Sequence, residues 1–148
     1  MTVLSKRATQ QPTASLTPLL GGALRQLCGI TPYDHGKVAT EKLRQRLLLR
    51  MTEAEAAQCL APLCSICSIA PSVFSMVHSE ELPTFDLAEL SQAFLRFLSS
   101  ESAAGLLLFA FDDLEAADAA SIKIMERALT ELADRPLCVV GLADPSIT

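Results

Sequence analysis

Gly105-Leu106-Leu107-Leu108-Phe109-Ala110-Phe111-Asp112-Asp113 and, after a helical stretch, Leu137-Cys138-Val139-Val140-Gly141-Leu142 decide how this chain folds. The first run has seven apolar or glycine residues between a small-residue turn and two acids, which is too short for a typical helix. Its apolarity is continuous instead of alternating, as a strand buried on both faces of a parallel sheet requires. The second run repeats that character. Between them Asp118 can cap a helix in which Ile122, Met125, Leu129 and Leu132 face inward and Lys123, Glu126, Arg127 and Glu131 face out, ended by Arg135-Pro136. Residues 105–142 are therefore expected to form one βαβ unit with a right-handed crossover.

Working toward the N-terminus, the chain reads as helices. Asp86-Leu87-Ala88-Glu89 has capping-box spacing, with Phe85 and Leu90 at the staple positions and Phe94, Phe97 and Leu98 on one face; Ser99 to Ala104 breaks the pattern. Pro71 to Thr84 lacks any period and reads as a surface loop. Thr52-Glu53-Ala54-Glu55 starts a helix running to about Ile66, and Ala39, Leu43, Leu47 and Met51 define one beside Lys37, Lys42, Arg44, Arg46 and Arg50. Thr17-Pro18 opens the first helix and Gly29 stops it. The expected organisation is a flexible segment over 1–15 and one domain over 16–148, with a helical part at 16–104 and the βαβ part at 105–148.

Composition narrows the class. The 148 residues are 50% hydrophobic and 20% charged, enough for a core and against intrinsic disorder. The longest apolar stretch, Ala103 to Phe111 interrupted only by Gly105, is far short of the roughly 20 residues that span a bilayer. Lys6 and Arg7 precede a polar Gln10-Gln11-Pro12-Thr13, where a secretory signal needs an apolar region, so the expected compartment is the cytoplasm. Five cysteines, an odd set without a dense framework, suit reducing surroundings. Residues 1–50 carry eight bases and two acids, and the remainder four bases and fifteen acids. Only one Tyr and no Phe accompany the basic half, so stacking platforms for nucleic acid are missing and a solvated helix face near an acidic half is expected.

Asp112-Asp113 is the sharpest chemical feature. Ligands of open α/β sheets bind beyond the carboxyl ends of the strands, where adjacent acids can project into a crevice. There, Asp112 would hold Mg²⁺ through a carboxylate oxygen and Asp113 would orient the water attacking a γ-phosphate. The competing reading is that polar residues merely end a strand or cap the next turn.

Leu106 to Thr148 as a whole resembles the Walker B to sensor region of STAND-type ATPases of the AAA superfamily. These are bacterial signalling modules often fused to a serine/threonine kinase, a LuxR-type DNA-binding domain or repeat arrays. The family reads apolar strand, D/E-D-L-H-W-x-D, a serine-containing helix, D-R-P-L, a second apolar strand and A-R-P. This chain keeps Asp112, Asp113, Leu114, Asp118, Ser121, Asp134, Arg135, Pro136, Leu137, Ala143 and Pro145. Leu19 to Ile30 and Glu41 to Met51 look like the helices after the phosphate loop in kinase-fused members, which extends the resemblance to about Leu16. It implies an incomplete P-loop nucleoside triphosphatase core of α/β class, with N-terminal helices followed by a βαβ unit of parallel strands. It also implies Asp112 as the metal-binding acid, Asp113 as the catalytic one, and Mg²⁺ and ATP as cofactors.

Three departures limit what carries over. No Gly-x4-Gly-Lys-Ser/Thr string is present; Gly36-Lys37-Val38 lacks the paired glycine, the hydroxyl and a preceding strand. Glu115-Ala116 replaces His-Trp, and Asp144 replaces an arginine that would stabilise developing phosphate charge. Two strands cannot make a self-sufficient sheet, and the family's phosphate-loop strand would lie before Met1. The expectation is a truncated or decayed ATPase domain with little or no hydrolysis alone, completed by a protein partner or the rest of a larger ATPase; the alternative is a non-enzymatic interaction module. Cys64-Ser65-Ile66-Cys67 has C-x-x-C spacing, but His35 and His78 stand at no ligand spacing, so buried thiols are expected in place of a metal or redox site.

Overall fold

The computed structural model describes residues 1–8, 17–69 and 84–145. Strand β1 (Thr2–Arg7) is followed by helices α1 (Pro18–Leu27), α2 (Gly36–Leu48), α3 (Glu53–Ile66) and α4 (Leu87–Ser102). Strand β2 (Leu107–Asp112), a single 3-10 turn (Leu114–Ala116), helix α5 (Ala119–Glu131) and strand β3 (Leu137–Gly141) complete the order. The class is α/β. All three strands are parallel in the order β1-β2-β3, and the register sets Leu4 beside Phe109 and Phe109 beside Val139.

The strand at Thr2–Arg7 corrects the expectation of a flexible segment over 1–15, of which residues 9–15 lie outside the described residues. Only Leu4 of this strand is buried, so the sequence carries little apolar signal; its backbone is held by the ladder to β2, with Thr2 N–H donating to Leu106 and Ala8 N–H to Asp112. The sheet thus has a third strand, and the βαβ unit is its β2-α5-β3 half. The loop expected over Pro71 to Thr84 lies outside the described residues except for Thr84, as does His78.

Both capping boxes form. Thr52 Oγ accepts from Glu55 N–H while Glu55 returns to Thr52 N–H, and Asp86 and Glu89 do the same for α4. α4 runs on to Ser102 through the serines expected to break it; the Ser100 and Ser102 hydroxyls turn back onto the Phe97 and Ser99 carbonyls. α1 ends in a Schellman motif, Gly29 N–H to Gln26 and Ile30 N–H to Arg25, with Gly29 at φ 67°. α3 ends the same way through Ser68 at φ 55°, a stop that no glycine announces. In α5 the buried residues are Ser121, Ile124, Met125 and Ala128, while Leu129 is 42% exposed. The inward face is therefore turned from the expected one: burying Ile124, Met125 and Ala128 against the core brings Ser121 to the inside and leaves Leu129 outside.

The core lies on one face of the sheet. Leu4, Leu107, Phe109 and Phe111 are buried with Leu20, Leu24, Leu43, Leu63, Phe94, Phe97 and Ile124. Gly21 lets α1 approach the end of α3: a Cβ there would stand 2.2 Å from the Ile66 carbonyl oxygen. β2 alternates, with Leu108 and Ala110 only half-buried, and β3 has Cys138 and Val140 exposed. The expectation that these strands are buried on both faces is corrected: among the described residues, the helices cover one face.

Candidate functional site

Asp112 and Asp113 stand at the carboxyl end of the central strand, the position at which open parallel sheets hold ligands. Asp112 ends β2 exposed, and its Oδ1 accepts from the Asp113 N–H at 2.9 Å. Asp113 leaves the strand in the left-handed region at φ 54° and ψ 47°, a conformation aspartate tolerates better than most residues. The turn aims its carboxylate back across the sheet onto Arg7, the register partner of Asp112, and Arg7 Nε donates to Asp113 Oδ2. Asp113 foremost, then Asp112 and Glu115, push the Arg7 guanidinium above its ordinary pKa, so it is cationic at any working pH.

An open cleft of about 260 Å³ adjoins this pair, lined by Lys6, Arg7, Ala8, Pro18, Leu19 and Asp118 among others. The first turn of α1 borders it, and free helix N-termini bind phosphate well. Here its donors are taken: Leu19 N–H donates to Asp118 Oδ2 and Leu20 N–H to Ser121 Oγ, each at 3.3 Å. Asp118 Oδ1 also accepts from Ser121 N–H at 2.6 Å, so one carboxylate caps α5 and α1 together.

Asp112 Oδ1 accepts from backbone and Asp113 Oδ2 from the guanidinium, so Arg7 is the cation that a dication at this pair would have to displace. Among the described residues no cluster of three ligating side chains exists, and Mg²⁺ held by this pair would take its remaining ligands from water or phosphate oxygens. Glu115 and Asp144 stand against each other, Asp144 N–H donating to Glu115 Oε2 at 3.4 Å, and both add negative charge near the acid pair.

The other candidates resolve into structure. Cys64 and Cys67 are buried at the end of α3, and burial pushes both thiols up. Cys28, under the same desolvation, is pushed up to about 12. Burial therefore favours the protonated thiol at all three. Two cations of the basic helix bond to other elements. Arg46 grips Glu101 of α4 with two bonds of 2.9 and 2.7 Å, Glu101 being 4% exposed; Lys42 holds Asp34 at 2.7 Å. Arg46–Glu101 thereby joins the basic half to the acidic half.

Arg7 and the doubled role of Asp118 escape a sequence reading, since each depends on a partner 99 or more residues away. No protein family, curated protein or solved structure matches the chain.

Proposed function

We propose that the chain is a degenerate ATPase domain of the STAND/AAA signalling type, keeping a Walker B-like acid pair without a phosphate loop and hydrolysing little or no ATP alone. In support, the acid pair follows the central strand of a parallel sheet, the Asp118 cap opens the next helix, and Arg135-Pro136 leads into the following strand. The observation that carries the loss of activity is Arg7 on Asp113. A carboxylate that orients water acts through its charge and a free lone pair, and Arg7 offsets the charge and takes one oxygen of this one.

Calorimetry of Mg²⁺-ATP against the purified chain, with folding checked by circular dichroism and Asp112→Asn as control, tests the reading. No binding by the folded chain is expected. Micromolar binding lost in Asp112→Asn, or ATP turnover abolished by Asp113→Asn, would overturn it.

A non-enzymatic interaction module is the second reading. It is favoured by the apolar sheet face that no described element covers.

A further inference from the structure

The two edges of the sheet differ. The Pro136 carbonyl accepts from Leu107 N–H at 2.9 Å, and Leu142 N–H donates to the Phe111 carbonyl at 2.8 Å while its own carbonyl accepts from Leu114 N–H at 3.1 Å. Backbone groups alternate sides along a strand, so Cys138 and Val140 also bond toward β2, and Val139 and Gly141 turn their N–H and C=O groups to the open side. Among the described residues nothing meets those four groups. The β1 edge is guarded: the strand carries Lys6 and Arg7, and α1 packs beside it with Gly22 against the Lys6 side chain. From Leu137 to Leu142 the β3 edge has no charge, no proline and no bulge, the devices that keep an edge from pairing.

We infer that the open edge of β3 takes an extended strand of another polypeptide, with Lys or Arg at the end that meets Glu115 and Asp144. The inference goes beyond either reading of function and needs no nucleotide. Backbone spacing selects the occupant. N–H and C=O groups repeating at every second residue are matched by another extended backbone, whereas a helix has bonded its own groups internally.

Charge selects among extended segments. Glu115 and Asp144 are exposed just past the carboxyl end of β3, and Asp112 is exposed at the end of the neighbouring strand, while Asp134 and Arg135 at the other end offset each other. A second copy fits poorly: two-fold antiparallel pairing of β3 with itself, centred on Val139, sets the Asp134 turn against the second copy's Asp144 at both ends. The chain's own remaining segments fit no better. Residues 9–16 and 146–148 have no charged side chain, and 70–83 hold Glu80 and Glu81 without Lys or Arg.

The probe is a fluorescein-labelled peptide of about eight residues, valine alternating with threonine and two lysines at one end, beside a twin with glutamates for the lysines. Anisotropy titration is paired with amide hydrogen exchange by NMR. The lysine peptide is expected to bind saturably and about tenfold or more tighter than its twin, slowing exchange at Val139 and Gly141 while Cys138 and Val140, already bonded to β2, stay as they were. Val139→Pro removes an N–H that the ladder to β2 does not use, and should weaken binding about tenfold or more in a chain of unchanged circular dichroism. Glu115→Lys, at an exposed position off the sheet, should erase the preference for lysine, and it carries the test where the proline variant does not fold. Slow exchange at Val139 and Gly141 in the chain alone overturns the inference, in favour of a second copy where light scattering gives a dimer and of the chain's own segment where it gives a monomer. Binding without that alternation of protection, equal affinity for the two peptides, or no binding overturns it outright.

Discussion

The Asp118 carboxylate accepts from Leu19 N–H, 99 residues earlier in the chain, while capping its own helix through Ser121 N–H. Two helix N-termini, each an array of orphan donors with partial positive charge, converge on one anion. Where a phosphate would sit in a nucleotide site at that helix terminus, this protein carries its own carboxylate.

Asp118→Ala is therefore expected to cost more than an ordinary cap. Loss of a single N-cap costs about 0.5–2 kcal/mol, and here two helices lose one each, so about 2 kcal/mol is expected. Urea denaturation followed by circular dichroism measures it. A cost no larger than that of Asp86→Ala, which removes one ordinary helix cap, would show that the α1 contact adds nothing.

Arg7→Gln tests the acid pair. Releasing Asp113 from its guanidinium removes the cation that competes with a dication, so Mn²⁺ at millimolar concentration should broaden the Asp112 and Asp113 amide resonances more in the variant than in the parent chain. Equal broadening would mean that Arg7 does not guard the pair.

Two adjacent glycines in α1 should respond oppositely to alanine. At Gly21 the added methyl meets the Ile66 carbonyl, rigid backbone at 2.2 Å, and overpacking of this kind costs about 1–3 kcal/mol. At Gly22 it meets Lys6 Cε, the far end of a flexible side chain at 2.5 Å, and helix propensity favours alanine by about 1 kcal/mol. Thermal melts should show Gly21→Ala falling and Gly22→Ala unchanged or raised.

Acid should erode one identifiable contact. The Lys42 ammonium, then the Thr31 N–H, hold the Asp34 carboxyl below its ordinary value of 3.8. A depressed carboxyl contributes its stability above the unfolded value and loses it as pH falls through the folded one. The difference in urea midpoint between the parent chain and Asp34→Asn should hold steady from about pH 7 to 5 and shrink below about pH 4. A difference that persists at low pH would assign it to something other than the charge.

Thiol reactivity should sort the cysteines by position. Cys138, exposed on β3, is expected to react with an aromatic disulfide reagent within seconds, whereas Cys59, Cys64 and Cys67 should react only on unfolding. Four equally fast thiols in the folded chain would contradict the burial of the end of α3.

Local chemistry was legible in advance wherever a few neighbouring residues suffice. Thr52 with Glu55, Asp86 with Glu89, the glycine stop at Gly29 and the two apolar strands all act within one turn or one extended run, and each forms. β1 was not legible, because a short strand with one buried residue is held by another strand's backbone more than by its own pattern. Nor was the state of the acid pair. Asp112 and Asp113 announce a ligand site by position, yet whether they are free depends on Arg7.

By itself the sequence determined that this is an α/β chain in which a helical region precedes a parallel strand-helix-strand unit, with acids at the end of its first strand. Periodicity and capping are near-neighbour physics, so the order of residues contains them. Only the tertiary structure decided that the described sheet has three strands with helices of the described residues on one face, that Arg7 closes on Asp113, and that Asp118 fills the N-terminus of α1. Each of those depends on bringing together groups about a hundred residues apart, and only the folded sheet makes them neighbours.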